Sequence, residues 1–171
     1  QRQMCIRDSL EQIPEADVVI GGLGDGGMLC GASVALRALK PEIRLYGVEP
    51  DGSSAVKQAV DTGGVVPVTP VTVADGLGAP YAGSWTLPLA SSLLDDLITL
   101  PDEEILGGLR FAMERLKQVV EPAGAAALAA LLFGRIPVAP GDRVVVILSG
   151  GNVDLTRIPE FLERAAPVPG A

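Results

Sequence analysis

The run from Asp17 to Gly31, DVVIGGLGDGGMLCG, constrains this chain more than any other stretch. An aliphatic segment ends in a cluster of glycines, and an apolar pattern of helical spacing follows at once. Glycine permits φ > 0 and lets backbone N–H groups come close to a ligand. A helix that begins just after such a turn directs its positive end at whatever sits in the loop. Strand, loop and helix in this order read as a cradle for a phosphate.

The rest of the chain extends this unit into an α/β fold. Asp17 to Ile20 is expected to be a parallel strand buried on both faces. Met28, Leu29, Ala32, Ala35, Leu36 and Leu39 lie at helical spacing, and Lys40-Pro41 ends that helix. Ile43 to Val48 is a second strand, so the three elements form a βαβ unit with a right-handed crossover. Ser53 to Thr62 reads as a helix capped by Ser53 or Ser54 and stopped at Gly63-Gly64. Val65 to Tyr81 carries Pro67, Pro70, Pro80, Gly76 and Gly78; it is an irregular connection, too long to be a mere linker.

Ser84 to Leu94 is expected to be helical and Leu97 to Leu100 a short strand. Asp102, Glu103 and Glu104 open a helix expected to run to about Val119, an acidic start that suits the helix dipole. Pro122 begins an alanine-rich helix to Phe133, following Glu121. Arg143 to Leu148, RVVVIL, is the strongest strand signal; it runs into Ser149-Gly150-Gly151-Asn152, and a last helix covers about Leu155 to Arg164. The expected fold class is therefore α/β, an open, mostly parallel twisted sheet with helices on both faces. Ligands of such sheets bind at the carboxyl ends of the strands. The glycine-rich loops after the first and last strands are thus expected to face one site.

Residues 1–9, QRQMCIRDS, have no periodicity and read as a scar foreign to the fold. Residues 10–164 make one domain, in which Leu10 to Ile13 ends a helix closed by Pro14; the tail, 165–171, is expected to fray. A net charge of −8 and 4% aromatic residues argue against a nucleic-acid partner. No apolar run reaches the roughly 20 residues of a membrane span. Cys5 and Cys30 give neither a disulfide framework nor metal-ligand spacing and suit a cytoplasmic setting. The sequence contains no histidine, which removes any histidine base, triad or metal ligand from this chain.

Each chemical motif has two readings. Gly22-Leu23-Gly24-Asp25-Gly26-Gly27 matches G-x-G-x-x-G between a strand and a helix, and Glu49 ends the next strand. That is the fingerprint of a dinucleotide-binding domain; the plainer reading is a tight turn. Ser149 places a hydroxyl where it could meet a ring nitrogen, or else Ser149 or Asn152 caps the last helix. Glu121, set among apolar residues, either needs a buried partner or favours the dipole of the helix it precedes. Asp75-Gly76 reads as a turn.

Taken together and in order, GGLGDGGMLCG, VEP, VADGL, LLDD, DEEI, VVEPAGAAALAALL and VVVILSGGNVDL resemble the C-terminal half of the serine racemase and threonine dehydratase family, fold-type-II enzymes that use pyridoxal 5′-phosphate. The resemblance spans about Leu10 to Ile158. It implies that the chain is the C-terminal part of the large domain of such an enzyme. The backbone N–H groups of Gly24, Asp25, Gly26 and Gly27, with Met28 adjoining, would then hold the cofactor phosphate. Gly76 would lie near the cofactor and Glu121 close to its ring, and Ser149, followed by Gly150, would face the pyridine nitrogen. The implied chemistry is β-elimination of a hydroxy amino acid to a 2-oxo acid and ammonia, or racemisation, by a cytoplasmic enzyme that is often a homodimer. Its partner is a small-molecule amino acid.

Three departures from that family stand out. Asp25 interrupts the glycines, and Gly21-Gly22 replace an apolar-proline pair. Glu49 and Ser53 match two ligands of a divalent-cation site found in some members, but Ala55 stands at the third. The Schiff-base lysine and the Ser-Gly-Asn-His loop belong to an N-terminal half; Lys40, Lys57 and Lys117 match no such motif, so no catalytic residue is assigned and the chain alone is expected to be inactive. Two other readings stand beside this one: a nicotinamide-dinucleotide-binding oxidoreductase domain, and a non-catalytic remnant that binds a phosphate ligand.

Overall fold

The structure, a computed structural model, describes residues 12–170. The scar read over residues 1–9, Cys5 within it, and Leu10 and Glu11 of the first expected helix lie outside the described residues.

Four parallel strands form the sheet: β1 (Val18–Gly22), β2 (Arg44–Pro50), β3 (Asp96–Leu100) and β4 (Val144–Val146), in the order β3-β2-β1-β4. β1 pairs with both β2 and β4 and is buried along its whole length. Its unbroken run of apolar residues and glycine follows from having both faces covered. Val18 and Ile20 point to one core, with Tyr46, Val48 and the alanines of α5 (Pro122–Leu132). Val19 points to the other, with Ala32 and Leu36 of α1 (Gly27–Leu39). α2 (Ala55–Thr62) and α3 (Thr86–Leu93) lie on the α1 side, where Val56, Ala59 and Ala90 pack with Leu23, Leu29 and Leu97.

α5 is buried from Pro122 to Ala130. It lies between the sheet and a further layer made by α4 (Asp102–Phe111) and α6 (Ile158–Arg164), where Leu106, Leu109, Leu128 and Phe161 meet. A helix buried all round has no polar face to keep. Alanine gives it good intrinsic helix propensity with little bulk between two layers. No helix of the described residues is long and apolar enough to cross a membrane.

The structure corrects several expected boundaries. The helix from Asp102 stops at Phe111, not near Val119. A π turn, Ala112–Leu116, follows, and Lys117 takes the left-handed conformation at φ 58° while Gln118 N–H donates to Ala112 O at 3.0 Å. This wide turn frees the chain to reverse before α5. β4 is the shortest strand despite the strongest strand signal. It is paired on one side among the described residues, and its regular pairing ends at Val146 although Ile147 N–H still reaches Ile20 O at 2.9 Å. Neither serine caps α2 with its side chain: Ser54 makes no cap bond, and Ser53 Oγ donates to Leu77 O at 3.2 Å, tying the irregular connection down. Gly63, at φ 72°, does close that helix. A short 3₁₀ turn, Leu155–Arg157, precedes α6. The tail expected to fray is held at one point, where Ala166 N–H donates to Glu103 O at 2.8 Å.

Candidate functional site

From β1 the chain crosses to β2 on one side, and β4 returns to β1 on the other. The crevice outside the carboxyl ends of β1 and β4 is therefore a topological switch point, where open α/β sheets bind ligands. A cavity of about 220 Å³ lies there, lined by Gly22, Gly24, Asp25, Gly26, Met28, Gly76, Leu77, Glu121, Ala123 and Ser149. The two glycine-rich loops thus face one site, as the sequence leads one to expect. Gly27 sits behind the lining, one residue into α1, and Gly150 backs onto Glu121. Gly22, Leu77 and Ala123 also line it; they lie within the glycine, VADGL and VVEPAGA motifs, where the sequence reading gives them no role of their own.

The loop after β1 is fixed from both ends. Leu23, fully buried, donates its N–H to Val48 O at 2.8 Å. Gly26 holds the left-handed conformation at φ 86° as the N-cap of α1, and a Cβ there would overlap Thr86 Cγ2. Thr86, buried in the first turn of α3, donates its hydroxyl to Asp25 O at 2.6 Å. The sequence gives no local sign of this bond, since its partners are far apart in the chain. The N–H groups of Asp25, Gly26 and Met28 meet no acceptor among the described residues, whereas Gly27 N–H donates to Asp25 Oδ1 at 3.0 Å.

The opposite wall is built by Glu121. Its N–H donates to Gly150 O at 3.1 Å, and its carboxylate Oε2 accepts from Asn152 N–H at 3.1 Å. This half-buried carboxylate therefore joins α5 to the loop after β4 and does not cap its own helix. The joint needs glycine at 150, where a Cβ would overlap Glu121 Oε1. Neither Ser149 nor Asn152 caps the last helix, whose N-cap Arg157 makes no side-chain cap bond; Asp154 caps the 3₁₀ turn before it, accepting from Thr156 N–H at 2.9 Å. Asp75 does form a turn, accepting from Gly76 N–H at 2.8 Å. Just before that turn in the chain, Asp102 accepts from Thr72 Oγ1 at 2.5 Å and Val73 N–H at 2.9 Å.

The structure removes Glu49 from both of its other readings. Glu49 is 1% exposed, and its carboxylate accepts from Val56 N–H at 2.9 Å and Lys57 N–H at 2.8 Å. It caps α2, where orphan N–H groups need an acceptor, and is not available to a ribose hydroxyl. Ala55 offers no side-chain oxygen where the third ligand of the cation site would stand. Among the described residues no group of three or more acidic, cysteine or histidine side chains is placed to hold a metal ion. The residues present do not fit the cation site. Lys40, Lys57 and Lys117 are likewise engaged elsewhere: Lys40 Nζ donates to Ala16 O, Lys57 pairs with Asp61, and Lys117 Nζ donates to Glu114 O. None lines the cavity.

The family model of pyridoxal-phosphate dependent enzymes matches residues 3–150. The chain belongs to this family. It is 39% identical over 158 residues to an L-threo-3-hydroxyaspartate ammonia-lyase of a Pseudomonas species, covering 92% of this chain and 49% of that protein. It is 40% identical over 152 residues to a serine racemase of Arabidopsis thaliana, covering 85% of this chain and 45% of that protein. The solved structure of maize serine racemase matches at TM-score 0.86 and 33% identity, over 95% of this chain and 52% of that one. The chain spans about half the length of the curated relatives it matches. The dinucleotide-binding reading is thereby set aside, in agreement with the burial of Glu49. The cavity is a seat whose residues fit pyridoxal phosphate. Free N–H donors lie at the start of α1, the one position of the turn with φ > 0 is a glycine, and the opposite wall approaches as close as Gly76 and Ala123 allow. A Cβ at Gly76 would stand 2.9 Å from Ala123 Cβ.

Proposed function

We propose that this chain forms one half of the active site of an ammonia-lyase or racemase acting on 3-hydroxy amino acids such as serine, threonine or threo-3-hydroxyaspartate. The observation that carries the reading is the convergence of the loops after β1 and β4, with Glu121 and Gly76, on one cavity at the switch point of the sheet. Gly24, Asp25, Gly26 and Gly27, with Met28, hold the phosphate of the cofactor through backbone N–H groups and the positive end of α1. Ser149 meets the pyridine nitrogen as a neutral hydroxyl, a partner that leaves this nitrogen unprotonated. Glu121 keeps the loop of Ser149 and Gly150 in place through Asn152 N–H. When bound, pyridoxal phosphate supplies the electron sink for the carbanion formed at the substrate Cα. The protein's part is to fix the ring and to exclude water.

The lysine that bonds the cofactor and moves the Cα proton belongs to the other half of the enzyme, as do most contacts to the substrate carboxylate. The reading is tested by expressing the reading frame that supplies this half and following ammonia and 2-oxo acid from L-serine, L-threonine and L-threo-3-hydroxyaspartate. Release from at least one of them is expected. No release and no racemisation from any would overturn the assignment.

A further inference from the structure

Asp25 stands in the middle of the phosphate seat, and its side chain already does there what a phosphate would do. Its carboxylate accepts from Gly27 N–H at 3.0 Å, while the neighbouring N–H groups of Asp25, Gly26 and Met28 point to no acceptor among the described residues. The loop backbone is tied to α3, where Thr86 Oγ1 donates to Asp25 O at 2.6 Å and Thr86 Cγ2 fills the space a Cβ at Gly26 would take. The Asp25 side chain is exposed and free to swing away. No lysine or arginine lines this cavity, and its other charged wall is Glu121. A phosphate entering it is met by backbone dipoles alone and by two carboxylates. The negative field of Asp25 reaches into α1: with burial as the larger cause, it pushes the Cys30 thiol up to about 11.

We propose that Asp25 is a built-in competitor for the phosphate seat: its carboxylate takes Gly27 N–H until a phosphate displaces it, so that it weakens cofactor binding. This inference rests on the reading of the glycine loop as the cofactor's phosphate seat. With Asp25 on Gly27 N–H the seat keeps its binding form, since the carboxylate satisfies a helix N–H that would otherwise be orphaned. The filled seat carries the cost of one displaced hydrogen bond and of a like charge a few ångströms from the phosphate.

The test is calorimetric titration of the 171-residue chain and of D25N and D25G with pyridoxamine 5′-phosphate and with pyridoxamine, neither of which forms imines with surface lysines. Asparagine keeps the acceptor for Gly27 N–H and removes the charge, while glycine removes both and suits the turn. D25N is expected to bind the phosphate ester about tenfold tighter, a factor in keeping with a like charge removed at a few ångströms in a half-solvated site. D25G is expected to bind it at least as tightly as D25N, and pyridoxamine affinity is expected to stay constant across the three. Wild-type binding with no gain in either variant would overturn the inference and leave the seat standing. A gain for pyridoxamine equal to that for the ester would overturn it too. No binding of the ester by any of the three would overturn the seat itself.

Discussion

Taking a carboxylate out of water costs several kcal/mol unless its charge is offset, and Glu49 is offset by two backbone N–H groups and the nearby Lys57 charge. Burial outweighs these: the Glu49 carboxyl is raised from its ordinary 4.5 to about 7. A folded-state pKa above the unfolded one means that the native state binds the extra proton. Stability contributed by Glu49 is therefore full below about 4.5 and is lost as pH rises toward about 7, by on the order of 3 kcal/mol over the window. Urea unfolding at pH 5 and pH 8 checks this. The wild-type chain is expected to lose stability between the two relative to E49Q, whose side chain does not titrate. Parallel pH dependence in the two proteins would show that Glu49 is ionised throughout and that its cap outweighs its burial.

At the scale of elements, the site is a set of loops held by partners remote in sequence. α3 supplies Thr86 to the glycine loop, Asp102 of α4 holds the approach to the Gly76 turn, and Glu121 at the head of α5 holds the loop after β4. T86V removes the hydroxyl and keeps the shape. With a hydrogen bond of this kind worth about 1 kcal/mol, it is expected to weaken pyridoxamine 5′-phosphate binding by about fivefold, while T86S restores it. Unchanged binding in T86V with a loss in T86S would assign the effect to packing of the γ-methyl and not to the hydroxyl. The strand–glycine–helix unit, the βαβ crossover and the alanine-rich helix were legible because each is written in local period and turn chemistry. The convergence of the two loops was legible from topology. Thr86 was not, because a threonine in a helix start carries no sign of a partner some sixty residues away. The early end of α4 escaped for a similar reason. Its sequence suits a longer helix, and the left-handed turn at Lys117 is followed by the non-local bond of Glu121 N–H to Gly150 O, which no local pattern announces. β4 has the richest strand composition and the shortest span, because span is set by the partner strand and not by propensity.

For the molecule as a whole, the number and placement of lysines decide what the chain can do unaided. A reaction of this family needs an amine at the cofactor's carbonyl carbon and a base at the substrate Cα. The three lysines, Lys40, Lys57 and Lys117, are bound to Ala16 O, Asp61 and Glu114 O, and none reaches the cavity wall. No histidine is present to act as base. Glu121, the carboxylate nearest the ring in the proposed site, already accepts Asn152 N–H. The 171-residue chain given pyridoxal phosphate is thus expected to make no more 2-oxo acid from L-serine or L-threonine than the free cofactor does, while it still binds pyridoxamine 5′-phosphate. Trapping the product as its hydrazone measures the first, and titration the second. A triple variant, K40R, K57R and K117R, removes the ambiguity of a positive result. Turnover above the free-cofactor rate that vanishes in this variant would mean that one of the three lysines leaves its present partner to bond the cofactor. The assignment of the lysine to another half of the enzyme would then fall. Binding without turnover, unchanged in the triple variant, is the behaviour of a wall that holds the cofactor and leaves the proton transfers to residues outside this chain.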